Sequence, residues 1–156
     1  MSSESPGFEL PLRMFLAFRA SIDEVHAELA AAGHPELRPM HGFVFQAISR
    51  GGSSAAELGR RLGVSKQAAG KMIETLERTG YVERVPDPGD ARRKTVRLTA
   101  RAVDALQRSE AAFERVRADW SRRLGADRVR ALEDDLRTIT PADPWRLDVP
   151  GWFGAS

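Results

Sequence analysis

The stretch Gly80 to Thr99, GYVERVPDPGDARRKTVRLT, decides how the rest of the chain is read. Val96 and Leu98 recur at period two on one face, with Thr95 and Arg97 on the other, which is the alternation of a half-buried strand. A shorter strand precedes it after Gly80. Between the two, Pro86-Asp87-Pro88-Gly89-Asp90 has the prolines and glycine of a turn. Arg92, Arg93 and Lys94 crowd the way out of that turn. A projecting hairpin tipped with cations, directly after a helix, is the shape expected of a nucleic-acid-binding wing.

Working back from the wing, Gly80 ends an amphipathic helix that Ser65 caps at its start. Ser54 and Glu57 form a capping box, which opens a shorter helix reaching Leu62. Gly63-Val64-Ser65 joins the two as a tight turn, so the pair reads as a helix-turn-helix. Leu58 and Leu62 form the buried face of the first helix, Val64 plugs the turn, and Ala69, Ile73 and Leu76 form the buried face of the second. The opposite face presents Lys66, Gln67, Gly70, Lys71 and Thr75. Its first turns suit a major groove, where Lys and Gln reach base edges and phosphates, and the small Ala68 and Gly70 let the helix approach closely.

Further upstream, Phe15, Phe18, Ile22, Val25 and Leu29 recur at spacings of three and four, predicting one helix over about residues 11–32 that Gly33 stops. A second helix over residues 39–50 turns Met40, Phe43, Val44, Ala47 and Ile48 inward. After Thr99, a plausible cap, a long helix reaches Leu124 with Val103, Leu106, Phe113, Val116, Trp120 and Leu124 as its apolar positions. Gly125 breaks it, and Val129, Leu132, Leu136 and Ile139 mark a last helix. The fold class expected is therefore mainly α with a small β-wing.

The chain has 156 residues, 42% of them hydrophobic, which fits one domain with an ample core. No apolar run has the length of a membrane span, the first residues lack a signal-peptide pattern, and there is no cysteine for disulfides, thiolate metal sites or thiol sensing. These features favour a soluble cytoplasmic protein. The formal net charge is only +2, but it is unevenly spread. Residues 51–101 hold eleven Lys/Arg against six Asp/Glu, while the remainder holds thirteen basic against sixteen acidic residues. Basic charge gathered in one segment is the footprint of a polyanion binder, although a solvated surface gives the same count.

Leu58 to Arg84 (LGRRLGVSKQAAGKMIETLERTGYVER), followed by DPGDARRKTVRLT, resembles the winged helix-turn-helix of the MarR family of bacterial transcription regulators. The Asp90-x-Arg92 pair with Val96, Leu98 and Thr99 is similar to that family's wing signature, and the likeness extends over essentially the whole chain. The resemblance implies one MarR-type domain over residues 1–156. Its dimerisation helices would lie at about 11–32 and 99–140, its winged helix-turn-helix at about 39–99, and an aromatic tail at 141–156. It implies a homodimer on a pseudo-palindromic double-stranded DNA operator, acting as a repressor released by a small molecule. By the same resemblance Ser65, Lys66, Gln67, Ala68, Gly70, Lys71 and Thr75 belong to the recognition helix, and Arg92, Arg93 and Lys94 to the wing. Asp90 either orients the Arg92 guanidinium or serves the wing's structure as a turn-forming residue. Arg84 is open between a DNA contact and a pair with Glu83 or Asp87. Gly70 departs from the family, which often has a small hydroxyl residue there. A dimer also follows from binding: two recognition helices on related half-sites roughly double the contact energy of one.

For sensing, the resemblance places an effector cleft near the link between the first two helices, with Phe15, Phe18, Arg38, His41 and Phe45 as candidates for an aromatic-acid or drug-like ligand. Arg38 would pair with a carboxylate or stand as a surface arginine. His26, His34 and His41 raise the alternative of a metal-responsive regulator. With only Glu24, Glu28 and Glu36 nearby, no metal site and no cofactor are assigned. Trp145, Trp152 and Phe153 either pack on the dimerisation helices or belong to a mobile tail. A further alternative is a winged-helix module that binds another protein without specific DNA binding. An enzyme is not expected, since no glycine-rich nucleotide loop and no catalytic grouping appear.

Overall fold

The computed structural model describes residues 5–51 and 54–142. The elements run α1 (Glu9–Ala31), α2 (Pro39–Ser49), α3 (Ala55–Leu62), α4 (Lys66–Arg78), β1 (Val82–Pro86), β2 (Lys94–Leu98), α5 (Ala100–Leu124) and α6 (Ala126–Ile139). Among the described residues the chain is mainly helical with one antiparallel pair of strands, as the sequence predicts, and the helix boundaries fall within a few residues of expectation. The aromatic tail with Trp145, Trp152 and Phe153 lies outside the described residues.

The caps explain the boundaries. The Ser54 hydroxyl accepts from the Glu57 N–H at 3.2 Å, and the Glu57 carboxylate accepts from the Ser54 N–H at 3.1 Å. Ser65 Oγ accepts from the Ala68 N–H at 3.0 Å, which starts α4. Thr99 does the same for α5 through the Ala102 N–H, and its hydroxyl also donates to the Gly80 carbonyl at 2.6 Å. One threonine therefore starts the long helix and ties it to the base of the wing. In the turn between α3 and α4, Gly63 takes a left-handed φ of 70°. Gly59 is needed for closeness: a Cβ there would sit 2.8 Å from the Val64 carbonyl oxygen.

The core lies where α2, α3, α4, β2 and the start of α5 meet. Val44, Phe45, Leu58, Ile73, Leu76 and Tyr81 are its largest fully buried side chains. On α5 the buried positions are Ala102, Ala105, Ala112 and Val116, a line of small residues that admits α1 closely. The larger apolar residues expected inward there behave differently. Leu106 and Trp120 pack partly against the core, but Val103, Phe113 and Leu124 stay exposed. Likewise α1 buries only Val25 and Leu29 of its stripe, leaving Phe15 41% and Phe18 54% exposed. The apolar pattern marked helix correctly, but among the described residues part of it stays exposed.

Ion pairs join these outer helices. Arg115 of α5 pairs with Glu28 of α1, and Arg117 of α5 with Glu133 of α6 at 2.6 Å. Each arginine holds its partner's carboxyl below the ordinary carboxylate range, chiefly by direct hydrogen bonding.

Candidate nucleic-acid interface

The recognition face is assembled as the helix period demands. Ala69, Ile73 and Leu76 anchor α4 in the core, which turns Lys66, Gln67 and Lys71 out to solvent. Gly70 and Thr75 are half-buried on the shoulders, and Ala68 faces partly inward. A Cβ built on Gly70 would meet nothing within 4 Å, so the protein's own packing does not require glycine there.

The wing is a tight ladder. Val82 pairs with Leu98, Glu83 with Arg97, Arg84 with Val96, Val85 with Thr95 and Pro86 with Lys94. Val96 is buried and anchors the ribbon, while the tip stays exposed. The tip is closed by its own backbone: the Asp87 N–H donates to the Arg93 carbonyl and the Arg93 N–H to the Asp90 carbonyl, both at 2.9 Å. Both aspartates add side-chain turns. Asp87 Oδ1 accepts from the Gly89 N–H at 2.7 Å, and Asp90 Oδ1 from the Arg92 N–H at 3.0 Å.

These bonds bear on the two roles expected of Asp90. Its carboxylate binds the backbone of Arg92, not the guanidinium, so it shapes the turn and does not orient the arginine. Among the described residues, Arg92, Arg93 and Lys94 enter no ion pair, and all three are exposed. The neighbouring arginines are committed. Arg97 pairs with Glu83 across the ladder at 2.6 Å, and Arg84 pairs with Glu77 of α4 at 3.1 Å. The expected partners of Arg84, Glu83 and Asp87, are thus replaced by a residue from the recognition helix. Strand β1 passes beside α4, a proximity that the hairpin sequence does not encode.

Between α4 and the wing lies a cavity of about 630 Å³, lined in part by Lys66, Gln67, Gly70, Arg84 and Lys94. The fold therefore gathers the first turns of α4 and the strands of the wing around one groove, while Lys71, Arg92 and Arg93 stand outside its lining. Ser54 and Ala55 at the start of α3 and Glu74 on α4 also line it, and sequence reasoning did not include them. Glu74 was findable, because it follows Gln67 and Gly70 on one helical face. The sequence marks Ser54 only as a cap.

Of the residues expected to form an effector cleft, Arg38 and His41 meet at the start of α2. Phe45 is 2% exposed and packs on Tyr81, ring centroids 5.8 Å apart, so it belongs to the core. Phe15 and Phe18 lie on the exposed part of α1. The Arg38 guanidinium donates to the Pro35 and Leu37 carbonyls at 3.0 and 3.2 Å. His41 Nδ1 accepts the Arg38 N–H at 3.0 Å, which needs a neutral ring. Burial and the nearby Arg38 charge both push the His41 pKa down and keep that ring neutral. Both residues thus serve the start of α2. His26 is also shifted down, mainly by burial. Among the described residues no group of three or more His, Asp or Glu side chains could hold a metal ion.

Two exposed basic elements, a helix-turn-helix and a strand ribbon, set on one scaffold of flanking helices define a winged helix-turn-helix. Residues 37–93 match the model of the MarR family. Solved structures share the fold over most of the chain. Wild-type MarR from E. coli, in its apo form, is 24% identical, with a TM-score of 0.64 over 87% of this chain and 98% of that one. The transcriptional regulator Tm0710 from Thermotoga maritima is 25% identical, with a TM-score of 0.60 over 85% and 90%. A mutant of E. coli MarR complexed with operator DNA is 22% identical, with a TM-score of 0.63 over 85% and 94%. None of the curated proteins matches the chain. Among the described residues, no helix is long and apolar enough to cross a membrane.

Proposed function

We propose that this chain is a sequence-specific, DNA-binding transcription regulator that seats as a homodimer on a pseudo-palindromic operator, in the cytoplasm and without catalytic activity. The observation that carries the reading is the set of exposed cations that, among the described residues, enter no ion pair. Arg92, Arg93 and Lys94 project from the wing, and Lys66 and Lys71 from α4, while the acidic residues of the wing tip are spent on backbone turns. Lysine and arginine held out of ion pairs on two protruding elements suit phosphates and base edges. Each element takes the role its residues allow: Lys66, Gln67, Gly70, Lys71 and Thr75 face the major groove, with Ser65 and Ala68 at its rim, and Arg92 and Arg93 reach the flanking minor groove or phosphates.

The dimer is supported by the uncovered apolar faces of α1, α5 and α6. Leu10 and Phe18 on α1, Phe113 on α5 and Ile139 on α6 are all 43% exposed or more. A second copy laying the same helices against them removes that surface from water. Repression is the sense of regulation we adopt, because one similar structure is the multiple antibiotic resistance repressor MarR, 24% identical with a TM-score of 0.63. We take release by a small aromatic acid or drug-like molecule as part of the same reading. Its pocket would form between subunits.

Titration of the protein against the DNA upstream of its own coding sequence, at two salt concentrations, tests the reading. Operator binding weakens steeply with added salt as condensed counterions are displaced, and exceeds binding to random duplex. A protein-binding winged helix gives neither result, and equal affinity for operator and random DNA would sink the regulator reading.

A further inference from the structure

One carboxylate stands unpaired in the groove between α4 and the wing. Glu74 lines that groove with Lys66, Gln67, Gly70, Arg84 and Lys94, and it is exposed. Among the described residues its carboxylate enters no ion pair and no hydrogen bond. Lys71 lies three residues before it and Arg78 four after it, the spacings at which helical side chains meet, and neither pairs with it. Arg84 is committed elsewhere: its Nε donates to Glu77 at 3.1 Å, one turn further along α4 and outside the lining. Lys66 and Lys94 form no ion pair either. Among the described residues, the two lysines of the groove and its glutamate therefore remain open to a partner from outside the chain.

The helix carries that glutamate with the recognition face. Gln67, Gly70 and Glu74 follow one another at spacings of three and four, along one side of α4. Gln67 and Glu74 are seven residues apart, which at about 1.5 Å per residue is roughly 10 Å, or about three base-pair steps. Between them a Cβ on Gly70 would meet nothing within 4 Å, so a base edge has room to approach the helix there. The face that takes Gln67 into a major groove takes Glu74 in with it.

A carboxylate only accepts hydrogen bonds, and phosphates repel it. Pressing it against a duplex strips away water, which weakens binding unless a donor takes the water's place. The major groove has few donors. Guanine shows N7 and O6 and thymine shows O4, all acceptors, while adenine sets its N6 amino group beside the acceptor N7. Cytosine shows its N4 amino group and no acceptor of its own. A carboxylate set among lysines that bind phosphate is thus satisfied at a cytosine and penalised at the other bases, and that difference is sequence preference.

We propose that Glu74 is a specificity-determining residue, which accepts a hydrogen bond from the N4 amino group of one cytosine in each half-site. The inference rests on the reading of the chain as an operator-binding regulator and states what one position of that operator must be. Lys66 and Lys94, beside Glu74 in the groove, take phosphates and so hold the base edge within its reach. The C·G pair lies within about three base-pair steps of the pair that Gln67 meets.

The test is selection of preferred duplexes from a randomised pool by the wild type, Glu74→Ala and Glu74→Gln. Affinities for the selected wild-type duplex, for its single-pair variants and for random duplex are then measured at fixed ionic strength. Glu74 is exposed and both replacements are good helix formers, so thermal melts should find all three proteins folded alike. The wild type should require a C·G pair at one position of each half-site. Exchanging that pair should cost at least roughly fivefold in affinity, the lower end for one mismatched pair. Glu74→Ala should lose this requirement and keep the rest of the selected sequence. Glu74→Gln, whose amide donates as well as accepts, should move the preference at that pair toward A·T. Selected sequences that are the same for all three proteins overturn the proposal. So does an equal rise in affinity for operator and random duplex in both variants, the mark of a carboxylate that acts by charge alone. A wild type that selects no sequence defeats the regulator reading itself and takes the proposal with it.

Discussion

Replacing Arg92 by alanine separates DNA contact from wing structure more cleanly than any other single change. The guanidinium forms no ion pair among the described residues, and the nearby Asp90 carboxylate is occupied by the Arg92 N–H, which alanine retains. Truncation therefore leaves no buried or abandoned partner, and the folding cost should stay within about 0.5 kcal/mol, the usual range for an exposed surface position. DNA binding should respond much more. An arginine seated on DNA is worth about 1–3 kcal/mol, and a homodimer loses two, so operator affinity should fall by about 2–6 kcal/mol. If the contacts are to phosphates, the slope of log affinity against log salt should fall by about 0.9 for each, roughly 1.8 in all. Fluorescence anisotropy with a labelled operator at several salt concentrations, beside a thermal melt of the free protein, gives all three quantities. A lowered melting temperature with unchanged affinity would refute the reasoning and return Arg92 to a structural role.

Asp90→Ala should act in the opposite way: it removes an exposed turn bond worth at most about 1 kcal/mol, so it should loosen the wing and weaken binding indirectly, without changing the salt slope of the remaining contacts. Gly59→Ala should destabilise the fold by about 1–3 kcal/mol in denaturant titration, because its Cβ meets the Val64 carbonyl oxygen at 2.8 Å, which is backbone and cannot step aside cheaply. Gly70→Ala should instead raise stability by up to about 1 kcal/mol through helix propensity, there being open space for the methyl, while an altered operator preference would place the recognition helix close to base edges at that point. Glu133 has its carboxyl depressed by Arg117, so its contribution is complete above the unfolded value of 4.5 and is lost as pH falls through the lower folded value; in thermal melts below about pH 4.5, Glu133→Gln should lose less stability on acidification than the wild type.

Local chemistry made much of this molecule legible in advance. The Ser54–Glu57 box, the Ser65 and Thr99 caps and the period-two alternation through Val96 and Leu98 act over three or four residues or along one strand. Side-chain identity alone therefore fixed where helices start and where the wing lies. The exposure of Lys66, Gln67 and Lys71 followed equally, since burying Ala69, Ile73 and Leu76 leaves the opposite face of a helix no other direction.

What failed to show in the sequence depends on partners far away along the chain. In the sequence Tyr81 is simply a residue between a helix and a strand, yet it meets His34 across 47 positions and Glu36 across 45. Asp104 meets His34 across 70. Phe45 looked available for a ligand until packing placed it against Tyr81, and Arg84 found Glu77 because β1 runs back beside α4. Phe113 and Phe18 fit a helix pattern that is the same whether the stripe meets its own chain or another. The sequence by itself determined the local elements and the basic face, because caps, periods and turns are short-range. Only the tertiary structure decided which polar groups share a buried line and which apolar faces stay uncovered, because both depend on how distant segments meet.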